Sequence, residues 1–261
     1  MKLLNLNVCI KMDNFNEVKK LINAENPDFC TFQEVINAVD RSCYEMYKFK
    51  NKLAKLKNYP YNEFAPIYVT KQITCNGEIE RDFGGRAEQG SMILSKHVIV
   101  EHKNQFYYNE YRYSYDMTYF RQKDWCRSIQ NSIVKVNGQD IQIINVHGVW
   151  NKDKTDDDRT IAQSKFILSQ VRKDLPCILV GDFNSQPTTK SIKMLDKKFR
   201  NLIKEYKITR TRPTFDDGLD VGDIVCDYVF VNDKVKVNNF KVDENAVSDH
   251  LALVLDFDIK D

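Results

Sequence analysis

Leu4, Leu6 and Val8 alternate with Asn5, Asn7 and Cys9, the two-residue period of a strand. From Asp13 the period lengthens. Phe15, Val18, Leu21 and Ile22 fall on one helical face, with acidic Glu17 in the first turns. Asn26-Pro27-Asp28 ends that helix, and Phe29-Cys30-Thr31-Phe32 starts a second strand that terminates in Gln33-Glu34-Val35. Strand, helix and strand in succession predict parallel neighbours. A longer helix is predicted from about Asp40 to Asn58.

Residues 61 to 148 read mostly as β, through Phe64 to Val69, Ser91 to Ser95 and Val98 to Val100. The polar, glycine-containing segment from Cys75 to Gly90 reads as a long hairpin loop near a functional rim. Nine aromatic residues lie between Phe106 and Trp125. They could stack on bases, but amphipathic edge strands use the same residues and are the favoured reading. Ile129 to Val136 and Ile141 to Val146 flank Asn137-Gly138, a strong hairpin signal. A charged loop, Asn151 to Asp158, precedes a helix carrying Ile161, Phe166, Ile167, Leu168 and Val171. The apolar run Cys177 to Val180 has the look of a strand buried on both faces, and a helix follows from Thr188 to Asp196. The tail returns to β over Ile224 to Val231, Val235 to Val242 and Leu251 to Phe257. No repeat or linker interrupts the pattern, which predicts one domain over residues 1–261.

Composition supports a globular chain, with 42% hydrophobic and 29% charged residues. The net charge, 39 − 37 = +2, exerts no bulk pull toward nucleic acid and leaves a local basic patch open. Seven cysteines form no Cys-x-x-Cys pair, and Cys9, Cys30, Cys177 and Cys226 sit in apolar runs. They read as buried free thiols in a reducing, cytoplasmic compartment. The first residues alternate too early for a signal peptide, and no apolar run approaches the roughly 18–20 residues of a membrane span. A monomer is expected.

Polar residues recur at the ends of these strands. Asp182 and Asn184 follow Gly181, and in an extended chain both project to one side. Taken alone, they read equally well as an ordinary turn. Asn7, Glu34, Asn145, His147, Asp227 and the pair Asp249-His250 hold similar positions. Asp227, within Ile224 to Val229, needs a partner inside so apolar a run, and a histidine is a natural one. Carboxylate and amide oxygens converging on one cleft suit Mg²⁺, whereas no Cys/His cluster has zinc spacing. Metal, histidine and carboxylate together point to hydrolysis of a phosphate ester.

Seven blocks then occur in order: Leu6-Asn7-Val8, Phe32 to Val35, Gly90 to Ser95, Asn145-Val146-His147, Gly181 to Asn184, Asp227 to Val231 and Ser248-Asp249-His250. Arg159 and Gln163 match a further recurrent pattern. Across nearly the whole chain this resembles the endonuclease/exonuclease/phosphatase superfamily, which includes deoxyribonuclease I and the exonuclease III-type enzymes. The likeness is greatest to short, bacterial-type members. The resemblance implies a four-layer α/β sandwich, two mixed β-sheets face to face with helices outside. It implies Glu34 as principal Mg²⁺ ligand (with Mn²⁺ as a substitute), supported by Asn7 and Asp249. It gives Asp182, helped by Asn184, the attacking water, and gives the phosphate to His147 and to His250 paired with Asp227. Asn145 and Arg159 would contact substrate. The general base stays open between Asp182 and the His250-Asp227 pair. If the Ile178 and Leu251 strands are antiparallel neighbours, Asp182 and Asn184 share an edge with Asp249 and His250.

The implied activity is a Mg²⁺-dependent phosphodiesterase or nuclease acting on nucleic acid. The alternative is a phosphatase or phosphodiesterase for small-molecule or lipid head-group phosphates. A catalytically silent scaffold is a third reading, and the presence of Glu34 and Asp249-His250 argues against it.

Overall fold

Two mixed sheets, each built from distant parts of the chain, lie face to face. The computed structural model describes residues 1–9, 13–118, 125–213, 215–216, 219–220 and 223–260. The first part of the chain forms β1 (Lys2–Asn7), α1 (Phe15–Glu25), β2 (Phe29–Ala38), α2 (Phe49–Leu53), β3 (Tyr61–Cys75) and β4 (Glu78–Ser95). Then come β5 (Val98–Tyr108), β6 (Arg112–Tyr113), β7 (Asp116–Thr118), β8 (Arg127–Val136), β9 (Gln139–His147) and α3 (Asp158–Gln170). Next are β10 (Cys177–Asp182), α4 (Lys190–Asp196), β11 (Arg200–Asn201), α5 (Leu202–Glu205), β12 (Phe215–Asp216) and β13 (Leu219–Asp220). The chain ends with β14 (Asp227–Val231), β15 (Val235–Asp243) and β16 (Ala252–Ile259). One sheet runs β15-β16-β1-β2-β4-β3-β6 with β7 also on β3, and the other runs β11-β14-β10-β9-β8-β5. As predicted, β1 and β2 are parallel and joined by α1.

Strand parity creates the layers. Leu4, Leu6 and Cys30 face outward onto Val18, Leu21 and Ile22 of α1 and onto Phe49 and Leu53 of α2. Leu3 and Phe29 face inward, into a core shared with Ile143, Ile178 and Val180 of the second sheet. Ile167, Ile192 and Leu202, from α3, α4 and α5, pack onto that second sheet. The result is the four-layer α/β sandwich.

Toward one end the inward-facing positions become polar. On β1 the series is Leu3, Asn5, Asn7; on β2 it is Phe29, Thr31, Gln33; on β9 it is Ile143, Asn145, His147; on β10 it is Ile178, Val180, Asp182. These four strands carry their polar ends at the carboxyl side, so the two sheets together build a polar cleft over an apolar core.

Three local predictions differ from the structure. The helix from Asp40 to Asn58 is only a 3₁₀ turn at Glu45–Tyr47 and the short α2. Its apolar residues are divided between two cores. Cys43 and Tyr47 join Ile67, Ile73 and Phe83, whereas Phe49 and Leu53 pack outside β1 and β2, so no single face supports one helix. The loop predicted from Cys75 to Gly90 is instead a strand pair, β3 and β4, joined by Asn76-Gly77. Both turn residues have positive φ, 53° and 85°, as a two-residue type I′ turn requires. Finally, the strand predicted over Ile224 to Val231 begins at Asp227, so Asp227 opens β14 and does not interrupt it.

Gly181 sets the packing beneath the cleft. Its φ is +139°, and a Cβ there would lie 2.1 Å from the Val146 carbonyl oxygen on β9. Gly181→Ala is therefore expected to cost about 2 kcal/mol and lower Tm by about 4–8 °C. Thermal unfolding followed by circular dichroism checks this. A Tm equal to that of the unsubstituted protein would contradict it.

Candidate active site

Glu34 enters the cleft because β2 is irregular there. The pairing with β4 shifts between Phe32 and Val35, and Glu34 has φ +59°. A left-handed conformation costs a non-glycine residue about 1–2 kcal/mol, and such strain persists where the surrounding fold imposes it. Cys9, Lys154 and Asn184 share it, with φ of 56°, 51° and 52°. Asn7, at the end of β1, places its Nδ2 3.3 Å from Glu34 Oε1 and 3.2 Å from Asp182 Oδ2. One amide thus donates to a carboxylate from each sheet.

Asp182 lies at the centre. In register it sits between His147 on parallel β9 and Asp227 on antiparallel β14. The Asn184 amide N–H donates to Asp182 Oδ1 at 2.8 Å. Asn184 is itself clamped. Its Oδ1 accepts from Lys154 Nζ at 2.8 Å, and its Nδ2 donates to the Gly148 carbonyl at 3.3 Å. Lys154 is buried, which a loop lysine rarely is without a partner.

The two histidines are held in opposite charge states. His250 Nδ1 lies 3.0 and 2.9 Å from the two Asp227 oxygens, and its Nε2 is 3.8 Å from Asp182 Oδ2. Burial alone would pull its pKa down, but the negative charges of Asp227 and Asp182 and the Asp227 hydrogen bond hold it well above the ordinary value. Thr211 Oγ1 donates to Asp227 Oδ2 at 2.8 Å and accepts from the backbone N–H groups of Cys226 and Asp227, which fixes the carboxylate. His147 behaves oppositely. Burial, reinforced by the Arg127 charge, pushes it down to about 3. Its Nε2 is 3.7 Å from Glu34 Oε1, and its buried Nδ1 has no hydrogen-bond partner among the described residues. Arg127 is buried behind it and donates from Nε to the Gly148 carbonyl at 2.8 Å.

Asp249 accepts from Arg212 Nη2 at 2.9 Å. Burial would raise its pKa, but His250, Arg212 and hydrogen bonds from Cys9 and Ser248 outweigh that and lower it. Ser248 Oγ donates to the Asn7 backbone oxygen at 2.7 Å, tying this segment to the end of β1. The Cys226 thiol is 3.4 Å from Asp227 Oδ2, and burial pushes it up to about 11.

The donor chemistry fits a hard divalent cation. Carboxylates of Glu34, Asp182 and Asp249 line the cleft, and Asn7 Nδ2 occupies a point between two of them that calls for positive charge. Asn7 as it stands presents its amino group, because its Oδ1 accepts from the Cys9 N–H at 3.1 Å. It becomes a ligand only with the amide reversed.

The structure thus brings together Asn7, Glu34, His147, Asp182, Asn184, Asp227, Asp249 and His250. It places the two predicted substrate contacts elsewhere. Asn145 is buried under the cleft, with its amide bonded to Gln33, the Phe32 carbonyl and Gln130. Arg159 is bound to Asp157 Oδ2 at 2.6 Å and lines a slot with Tyr108, Trp125, Arg127, Val149 and Trp150. The shared strand edge is also corrected. β10 and β16 belong to different sheets, so Asp182 meets His250 across the sandwich. Lys154, Thr211, Arg127 and Arg212 carry no signal in the sequence. All four are polar residues outside the seven blocks; burial distinguishes Lys154, Thr211 and Arg127, and the ion pair with Asp249 distinguishes Arg212.

A family model described as Endonuclease/Exonuclease/phosphatase family matches residues 4–250. No curated protein matches the sequence. Among solved structures, an endonuclease/exonuclease/phosphatase from Beutenbergia cavernae aligns at TM-score 0.72 and 17% identity, covering 99% of this chain and 71% of its own. Truncated Caenorhabditis elegans TDP2 aligns at TM-score 0.67 and 15% identity, covering 98% and 96%. A Bacteroides thetaiotaomicron mannosyl-6-phosphatase aligns at TM-score 0.68 and 14% identity, covering 99% and 100%. At these identities the likeness is one of fold.

Proposed function

The chain belongs to the Endonuclease/Exonuclease/phosphatase family and, as its members are, is a phosphoric ester hydrolase; from that premise we propose a Mg²⁺-dependent phosphodiesterase acting on nucleic acid. Glu34 and Asp249 would hold the cation, with Asn7 joining them through a reversed amide, and Mn²⁺ would substitute. A bound divalent cation supplies neutralisation of the phosphoryl oxygens and polarisation of the ester. The single observation that carries this reading is Asp182, held between a neutral His147 and a cationic His250 and facing Glu34 through Asn7.

Asp182 orients the attacking water and takes its proton at Oδ2, which the reversed Asn7 amide frees, whereas Oδ1 stays committed to the Asn184 backbone N–H. His250 already carries its proton, which supports Asp182 over the His250-Asp227 pair as the base. Its Nε2–H is the donor for charge that develops on the phosphoryl oxygens, and Asp227 with Thr211 keeps the ring oriented. Neutral His147 adds one further donor. Opposed charge states of neighbouring groups are a recurrent way of dividing acid and base roles.

Nucleic acid is favoured by the family description, which names endonucleases and exonucleases first. The slot lined by Tyr108, Trp125, Trp150, Arg127 and Arg159 is about 10 Å³, too small to hold a base. A phosphomonoesterase is the second reading, because the structural likeness to a mannosyl-6-phosphatase spans both chains. The seven cysteines are free thiols, which supports a cytoplasmic setting, and a monomer is proposed. No helix among the described residues is long and apolar enough to cross a membrane.

A substrate panel with Mg²⁺ and Mn²⁺ tests the assignment, using plasmid, abasic duplex, single-stranded oligonucleotide, sugar and inositol phosphates and sphingomyelin, with Glu34→Ala as blank. The expected result is oligonucleotide cleavage whose rate falls steeply with salt, since phosphate contacts release counterions. Turnover confined to small phosphomonoesters, with no salt slope, would transfer the assignment to the second reading.

A further inference from the structure

Hydrolysis makes no use of the Cys226 thiol, although it is fully buried against the Asp227–His250 pair. The sequence has no zinc-like Cys/His spacing, yet the fold assembles one. Asp182, Cys226, Asp227 and His250 each offer a ligand atom, and these atoms all lie within 4.8 Å of one another. We propose that Cys226, Asp227 and His250 form a second metal site, selective for a thiophilic divalent cation such as Zn²⁺, whose occupation switches the enzyme off.

The distances between the donors are close to those a zinc ion needs. Cys226 Sγ to Asp227 Oδ2 is 3.4 Å, Cys226 Sγ to His250 Nδ1 is 4.0 Å, and His250 Nδ1 to Asp227 Oδ2 is 2.9 Å. A tetrahedral zinc with bonds of about 2.0–2.3 Å places its ligand atoms about 3.3–3.6 Å apart. The triangle already brackets that spacing, and shifts of under about half an ångström complete it. Asp182, whose carboxylate oxygen lies within 4.8 Å of the same ligand atoms, is the fourth donor. A sulfur, a nitrogen and a carboxylate suit zinc and do not suit Mg²⁺, which demands oxygen. The site is therefore blind to the cation expected at Glu34.

Zinc would enter in exchange for two protons, one from the Cys226 thiol and one from His250 Nδ1, both released to solvent. The Nδ1–H bond from His250 to Asp227 disappears, and the ring loses the orientation that its role at the phosphate needs. The inhibition rests on the hydrolase reading above; the binding does not.

Zinc affinity is measured by competition with a chromogenic chelator in excess Mg²⁺, and hydrolysis is measured in parallel. The unsubstituted protein, Cys226→Ala, Cys226→Ser, Cys9→Ala and Glu34→Ala are compared, each checked for an unchanged circular dichroism spectrum. Zinc binding is expected to survive Cys9→Ala and Glu34→Ala. It is expected to weaken by more than the roughly 10–100-fold that loss of an outer-shell partner costs, in both Cys226→Ala and Cys226→Ser. Those two variants should hydrolyse at the ordinary rate in Mg²⁺ while resisting zinc concentrations that stop the unsubstituted protein. Unchanged zinc affinity in both Cys226 variants would overturn the proposal, as would loss of zinc binding in Glu34→Ala, which would place zinc at the Glu34 site. The chelator measurement decides whether the site binds zinc even if no substrate in the panel is cleaved.

Discussion

Asp182→Asn is expected to lower kcat by about 10²–10⁴-fold while the protein stays folded. The substitution keeps the shape of the side chain. An amide oxygen can still accept from the Asn184 N–H, so the turn after β10 is retained. What is lost is a negative charge 3.8 Å from His250 Nε2 and a proton acceptor facing the cleft. Stability should change by no more than about 1 kcal/mol, because relief of carboxylate repulsion is offset by the lost attraction to His250. Asp182 and Asp227 are opposed in register, and Asp182 and Glu34 share the Asn7 amide, so the carboxylates repel one another when no cation is bound. Steady-state kinetics at saturating Mg²⁺, with thermal unfolding alongside, decides the matter. An Asp182→Asn enzyme with near-ordinary kcat would move the base to another group.

Glu34→Gly is expected to abolish hydrolysis and yet leave the protein as stable as before, or more stable by up to about 1.5 kcal/mol. Relief of the left-handed strain at φ +59° is worth about 1–2 kcal/mol, and the added freedom of glycine in the unfolded chain offsets about 0.5–1 of that. The carboxylate proposed to hold the cation disappears with the same change, so Mg²⁺ should no longer raise Tm. Glu34→Ala provides the contrast, because it removes the carboxylate and keeps the strain. Thermal unfolding of the two variants with and without Mg²⁺ separates the terms. A glycine variant clearly less stable than the alanine variant would mean that the φ at this position is not a source of strain. An active glycine variant would remove Glu34 from the site.

Much of the cleft is legible in the chain because its residues follow from strand periodicity and block order. Asn7, His147 and Asp182 end strands whose alternation sets the side they face, and Asp227 is marked by an apolar neighbourhood that forbids a lone carboxylate. Asn137-Gly138 forms the hairpin that its flanking apolar runs predict. The same dipeptide at Asn76-Gly77 also turns a hairpin, but the polar residues around it suggest a loop. They are polar because residues 78 to 86 of β4 pair only with β3. Phe83 alone among them is buried, its ring centroid 4.7 Å from that of Tyr47.

The sequence by itself determined the strand parity, the β1–α1–β2 unit and most of the residues that line the polar end, because these depend on neighbours a few positions apart, which periodicity records. The two-sheet sandwich was implied by the resemblance that the seven ordered blocks carry. The tertiary structure alone decided the strained backbone of Glu34, the burial of Lys154 against Asn184 and the clamp of Thr211 on Asp227. It also decided the opposite charges of His147 and His250 and the meeting of Cys226 with His250. Each of these is set by groups distant in sequence, many on the opposite sheet, whose distance and burial fix the energy, and no local pattern along the chain encodes either quantity.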